Sequence, residues 1–235
     1  MSALILALLC ACLGIAIWQY GPSSPAGQIT KSYSASLDSL ERAEIKIDFT
    51  AGNLTMNSLP SSSPNLVEAA SKVRNGSMKV DFEQQDGEGR LHLSTERVNW
   101  RFWGEDGSSW EVKFTRGIPL TIEVKSAASN LDLDLSELEV TELRMDVDAG
   151  NYLVKMPSSA GTTRAYIEAD VANVEVTIPD GVAAKIKLDV DLSAIDVDEG
   201  RFPRRGDYYI SPDFESAENR LELELDGDIG RVQVK

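Results

Sequence analysis

A repeat of about 21 residues constrains this chain more than any other feature. Take Asn151 in residues 143–157 (LRMDVDAGNYLVKMP) as the reference position. Residues 122–135 align with Asn130 there, 165–179 with Asn173, 186–198 with Ala194, 45–59 with Asn53, and 223–235 with Arg231. The inner references Asn130, Asn151, Asn173 and Ala194 stand 21, 22 and 21 residues apart. A fixed period of this size marks stacked-rung architecture.

Each repeat has its own internal logic. Eight residues before the reference stand Ile45, Ile122, Leu143, Ala165, Ile186 and Leu223, and six before it Ile47, Val124, Met145, Ile167, Leu188 and Leu225. Mostly charged residues separate these two apolar columns. That alternation predicts a half-buried strand. One after the reference come Leu54, Leu131, Tyr152, Val174, Ile195 and Val232, and three after it Met56, Leu133, Val154, Val176, Val197 and Val234. The buried parity has moved from even to odd, which an unbroken strand cannot do. A corner or bulge is therefore expected at Ala51-Gly52-Asn53 and Ala149-Gly150-Asn151, where glycine and asparagine tolerate positive φ. The expected unit is strand, corner, strand.

Two short strands cannot bury their apolar side alone, but stacked copies can, with like positions about 4.8 Å apart. The expected fold is all-β, a parallel right-handed β-helix or β-solenoid of about 21-residue rungs with inserted hairpins, preceded by one N-terminal apolar helix. An antiparallel sandwich of short strands is the alternative, and the matched columns favour the solenoid. At 235 residues and 42% hydrophobic content, one such domain has enough chain for a sizeable core.

The N-terminus is of another kind. Residues 2–18 are apolar and uncharged, near the lower limit for a membrane span, with Trp18 and Tyr20 as an aromatic edge. Residues 1–20 are expected to anchor the protein in the cell membrane or act as a signal-like segment, 21–34 to be a linker, and 35–235 to be the solenoid domain. No basic residue precedes the apolar run, as a good signal peptide would require. The plain reading is a single uncleaved anchor with the domain outside the cytoplasm. Residues 9–12 (LCAC) also loosely match a bacterial lipidation box, with Cys12 as the lipidated residue. Cys10 and Cys12 are the chain's two cysteines, so disulfides cannot stabilise the domain.

Between the repeats, residues 66–73, 77–83 and 90–95 alternate as strands around Asp86-Gly87-Glu88-Gly89 and fit a hairpin joined to the solenoid. Residues 97–116 hold Trp100, Phe102, Trp103 and Trp110 around Gly104-Glu105-Asp106-Gly107, which reads as a second hairpin. These four aromatics are the partner-binding candidates; packing against an open end of the solenoid is the alternative role.

The net charge of −15 argues against nucleic acid, whose affinity comes chiefly from Lys and Arg on phosphates. His92 is the sole histidine, so a Ser-His-Asp triad or histidine-rich metal site has poor support, and it is expected on the solvent side of a strand. No P-loop or GxGxxG is present, and no cofactor is implied. The chemical peculiarity is a pair of acidic columns. Asp148, Asp170, Asp191 and Asp228 stand three before the reference, and Asp48, Asp146, Glu168, Asp189 and Asp226 five before it. Stacked in register, they form a hydrated face or, as the weaker candidate, a Ca²⁺ site between rungs at Asp148, Asp170, Asp191 and Asp228. Arg205-Gly206-Asp207 matches a cell-adhesion tripeptide but reads first as a charged turn.

Residues 118–157 (IPLTIEVKSAASNLDLDLSELEVTELRMDVDAGNYLVKMP), with WRFWG and WEVKFTRG in 100–117, resemble the toast-rack domain of LiaF-type bacterial cell-envelope stress proteins and their small membrane-anchored relatives. The resemblance covers about residues 35–235. It implies a non-enzymatic β-helical module at the envelope, linked in some members to a sensor-kinase pathway; this chain has one anchor in place of several spans. The expected function is therefore a membrane-tethered interaction or scaffold module in envelope stress sensing, with an envelope or sensor protein as partner. The alternative is a structural or adhesin-like surface protein.

Overall fold

The computed structural model describes residues 19–20, 29–73, 77–96, 108–191 and 194–235. They form sixteen strands and no helix. The expected N-terminal apolar helix and Cys12 lie outside the described residues. The strands of the first half are β1 (Gln19–Tyr20), β2 (Ile29–Ser36), β3 (Arg42–Ser58), β4 (Asn65–Val73), β5 (Ser77–Gln85), β6 (Glu88–Glu96), β7 (Ser108–Phe114) and β8 (Leu120–Asp134). The second half gives β9 (Val140–Lys155), β10 (Thr162–Thr177), β11 (Ala183–Val190), β12 (Ala194–Val197), β13 (Arg204–Arg205), β14 (Tyr208–Ile210), β15 (Arg220–Gly227) and β16 (Arg231–Val234). Residues 29–34, expected in the linker, belong to β2, which pairs antiparallel with β4.

The long strands β3, β8, β9 and β10 each carry two arms around a corner. In β8 the buried residues are Leu120, Ile122, Val124 and Ser126, then Ser129, Leu131 and Leu133. Ala127 and Ala128 between them are both exposed, and this doubled exposure is how the parity changes. The ladder pairs Ser126 with Val147 and Ala128 with Ala149, stepping over Ala127 and Asp148. The corner thus spans the expected Ala-Gly-Asn and the residue before it. Gly52 and Gly150 have φ of 120° and 157°, a region that favours glycine.

All rung-to-rung pairings are parallel and place like repeat positions opposite each other. The column eight before the reference has Ile45, Ile122 and Ile186 fully buried, and the column three after it has Met56, Leu133 and Val176 in the same state. Each such side chain contributes about 1.5–3 kcal/mol relative to exposure. The core is the stack of these columns between the two arms.

The stack departs from sequence order. The last repeat, β15 with β16, lies between β10 and β11: Leu223 pairs with Ala165 on one side and Ile186 on the other. The chain leaves β10 through Pro179, forms β11 and β12 one place further out, and comes back. The returning Arg220 amide donates to Gly161 O at 2.7 Å, and Ala183 N to Asn219 O at 3.0 Å.

A seventh rung lies at the other end, hidden in the sequence. β6 pairs parallel with the first arm of β3, matching Leu91 to Ile45 and Leu93 to Ile47. β7 pairs parallel with the second arm, matching Trp110 to Leu54 and Val112 to Met56. The expected hairpin is also present as β5 antiparallel to β6, so β6 serves both as hairpin arm and as rung.

Both ends are covered, but unequally. At the first rung β5 covers one arm, and β4, then β2, then β1 extend the other in antiparallel pairing. At the far end β14 pairs with β11, and β13 with β14. Phe202 is fully buried there, while Arg201 donates to Ile178 O at 2.8 Å and Pro179 O at 3.1 Å. Among the described residues, the strands of this cap pair with the first arm.

Candidate functional site

The corner edge of the stack carries the asparagine and acidic columns singled out in the sequence. From Leu91 to Trp110 is nineteen positions, against nine from Ile45 to Leu54 in an uninterrupted rung, so ten residues are inserted at the corner of the first rung. Trp100, Phe102 and Trp103 fall within residues 97–107, outside the described residues. Trp110 takes the packing role, one of the two expected for the aromatic group. It is 1% exposed, because it occupies the buried column one after the reference, and its ring lies 5.0 Å from Phe49. It is a core residue and not a contact residue.

Along this corner, at the end of β6, a cleft of about 460 Å³ opens, lined by Asp48, Thr50, Ser94, Thr95, Lys125, Asp146 and Asp148 among others. Ser108, at the point of return, donates to Ala51 O at 2.6 Å and pins the strand to the neighbouring corner. His92 is on the solvent side as expected, but it has a partner that linear spacing concealed: its Nε2 lies 2.6 Å from Asp48 Oδ2 on the next rung. Lys125 Nζ donates to Asp146 at 3.0 Å, and this carboxylate, with Glu123 behind it, raises the ammonium's pKa.

The asparagines used as the reference position form a ladder along the corner. Asn130 donates to Asn53 at 3.1 Å, Asn151 to Asn130 at 3.0 Å, and Asn173 to Asn151 at 2.9 Å. Parallel register brings identical side chains to hydrogen-bonding distance, and an amide is both donor and acceptor.

The acidic columns run beside this ladder. Glu168 pairs with Asp146 and Asp226, and Asp226 with Asp189, so four carboxylates five before the reference follow one another on adjacent rungs. By the same registers the other column runs Asp148, Asp170, Asp228, Asp191, with the inserted rung separating Asp170 from Asp191. Asp148, Asp170, Asp191 and Asp228 are all exposed. Among the described residues no group of three or more His, Cys, Asp or Glu is arranged to hold a metal ion. Cations and hydroxyls occupy part of the columns instead: Lys125 meets Asp146, and the Tyr166 hydroxyl donates to Asp226 at 3.3 Å.

The outer face of the first arm bears a second polar strip that sequence reasoning left unread, although it was visible as the charged positions between the apolar columns. A groove of about 490 Å³ there is lined by Arg144, Tyr166, Lys187 and Tyr208 among others. Arg144 stacks over the Tyr166 ring at 5.7 Å, and Lys185 over the Tyr208 ring at 4.6 Å. Lys187 donates to Glu224 at 2.7 Å, which raises its pKa. Arg205, Gly206 and Asp207 are exposed at the tip of the β13–β14 hairpin.

The comparisons with known proteins bear on this architecture. No curated protein matches the sequence. A solved structure of a Clostridium sporogenes protein, proposed to act in cell adhesion, superposes with a TM-score of 0.79 at 16% identity, covering 88% of this chain and 99% of that one. At that identity the likeness is one of fold. A proposed adhesin from Bacteroides fragilis covers 92% of this chain and 100% of its own at 10% identity, but its TM-score of 0.29 bears no weight. The sequence model of the N-terminal domain of toast_rack matches residues 24–177, the caps of the first rung and the rungs β3 through β10. The chain belongs to the toast-rack family.

Proposed function

We propose that this chain is a non-enzymatic, membrane-tethered β-solenoid that serves as an interaction or scaffold module at the bacterial envelope, in stress sensing or its regulation. The observation behind this reading is the corner insertion: the rung formed by β6 and β7 has ten more residues between Leu91 and Trp110 than an uninterrupted rung, in a stretch of sequence that carries Trp100, Phe102 and Trp103. Aromatic side chains bury large area at small entropic cost, which suits them to partner contact. The hydrated acidic columns yield little on dehydration unless the partner is basic. Family membership supports an envelope role, and the apolar residues 2–18 support a tether with the domain outside the cytoplasm.

The test is photo-crosslinking from position 103 in the full-length protein in native membranes, with position 153 on the second arm as control. A crosslink to an envelope or sensor protein from position 103 alone is expected. Equal labelling from both positions, with unchanged tolerance of cell-wall antibiotics in a deletion strain, would overturn the reading.

A second reading, an adhesin-like surface protein, draws on the adhesion role proposed for the Clostridium sporogenes neighbour and on the exposed Arg205-Gly206-Asp207 tip. It requires Asp207→Glu to lower the attachment of intact cells to host matrix.

A further inference from the structure

The repeat columns end abruptly on the second arm. One position after the reference, Leu54, Leu131, Tyr152, Val174 and Val232 are at most 1% exposed, yet Ile195 in the same column is 46% exposed. Val197, two residues on, is only partly buried, whereas Val176 and Val234 of its column are buried. Ile195 and Val197 lie on β12, the outermost second-arm strand. Its described pairing is with β16 alone, while β14 covers the neighbouring first-arm strand β11.

The backbone of β12 is open on that side. Ala194 N donates to Gly230 O at 3.2 Å and Asp198 N to Val234 O at 3.0 Å. In a parallel ladder, residues of that parity face the neighbour and those between face away. The N–H and C=O groups of Ile195 and Val197 therefore point outward, among the described residues, in the arrangement that accepts one more strand. A row of free amides and carbonyls above two half-buried apolar side chains selects an extended polypeptide.

Charge narrows the partner further. Asp196 lies on the strand, and Asp198 and Glu199 follow it directly. Two cations of this arm are engaged elsewhere, Arg201 with the Ile178 and Pro179 carbonyls and Lys235 with Glu175, which leaves Arg231, opposite Ala194 on β16, against three carboxylates. A second copy fits poorly. Self-pairing of β12 would set Asp196 and Asp198 against their own counterparts, and like charges directly opposite are destabilising. Head-to-tail continuation is blocked as well, because β4 and β5 already pair with the first rung.

We infer that β12 is a strand-acceptor edge for a basic, extended segment of another polypeptide, with small apolar residues alternating with Lys or Arg. This site lies at the opposite end of the stack from the rung formed by β6 and β7 and stands independently of the function proposed above. The apolar residues of the guest would complete the Ile195 and Val197 columns, and its cations would meet Asp196 and Asp198.

The experiment uses the full chain in detergent and a short synthetic peptide alternating valine and lysine, with a valine–glutamate peptide as control. The basic peptide is expected to slow amide exchange at Ile195 and Val197 by about tenfold or more, and the acidic one to leave it unchanged. Val197→Pro removes an outward donor, a change tolerated on an edge strand. Asp196→Lys reverses the charge at an exposed position. Both should abolish the protection while the melting temperature of the unliganded protein holds. Equal protection by the acidic peptide, or none by the basic one, would overturn the inference. Protection that grows with protein concentration and no peptide would assign the edge to a second copy and overturn it too.

Discussion

Gly150 lies so close beneath Ser129 that a Cβ on it would stand 1.7 Å from the Ser129 carbonyl oxygen. Gly52 has the same relation to Ser108, at 2.0 Å. Both glycines combine positive φ with a neighbouring rung closer than any side chain allows.

Gly150→Ala should therefore destabilise the domain by at least about 1–3 kcal/mol, the usual cost of one strained backbone position. Gly117→Ala, which meets nothing within 4 Å, is the matched control. Thermal melts of the two variants should separate by several degrees.

The asparagine ladder makes a subtler demand. Asn151 donates to Asn130 and accepts from Asn173. Asn151→Ala removes both bonds in one step, a loss of about 1–2 kcal/mol for exposed amide pairs. Asn151→Asp, protonated in acid, still has an O–H to donate and an oxygen to accept, so its cost there should be smaller than that of alanine, and it should grow as ionisation removes the donor. A urea series at pH 3 and pH 7 reads the difference.

Trp110→Ala should cost about 3–5 kcal/mol, as large-to-small changes in a core do. Trp110→Phe should be far milder, because the buried indole Nε1 has no hydrogen-bond partner to lose. Equal stability of wild type and Trp110→Ala would contradict a core role and restore the residue as a contact candidate.

Alkaline pH offers a test of the column at Tyr152. Burial pushes its pKa from 10 up to about 12, with Ser129 opposing and Asp148 reinforcing the shift. The hydroxyl is buried without a well-formed hydrogen bond. The unfolded chain releases this proton near pH 10 and the folded chain near 12, so the stabilisation is complete below 10 and falls across that window. The loss is on the order of 2–3 kcal/mol. Tyr33 and Tyr166 are raised in the same direction, so the measurement is the difference in alkaline slope between wild type and Tyr152→Phe. An identical slope in both would show that Tyr152 titrates normally.

Core columns tolerate no charge. Val176→Asp places a carboxylate at a fully buried position and should unfold the domain, at a cost of several kcal/mol. Loss of the β circular-dichroism signal at room temperature would register this.

Much of the architecture was written in residue type and spacing. The alternation in residues 143–157, its change of parity, and the glycine at the corner specified two arms around a bend, because burial on one side of a strand has a period of two. The asparagine and aspartate columns were legible as columns for the same reason. The order of the rungs was not. Every repeat offers its neighbours nearly the same apolar positions, so Ile186 could stack on Ala165 as well as on Leu223. What decided between them was the connection: residues 198–219 cap the first arm beyond β11, and the chain then returns into the gap. The rung formed by β6 and β7 was hidden because the corner insertion separates Leu91 from Trp110, and the pairing with β3 that unites them is non-local. Trp110 and Ile195 make the closing contrast. Both occupy the column that sequence marks as buried, but only Trp110 has rungs or strands on both sides. Local pattern determines which face of a strand is apolar; whether anything covers that face depends on which strands the folded chain brings beside it.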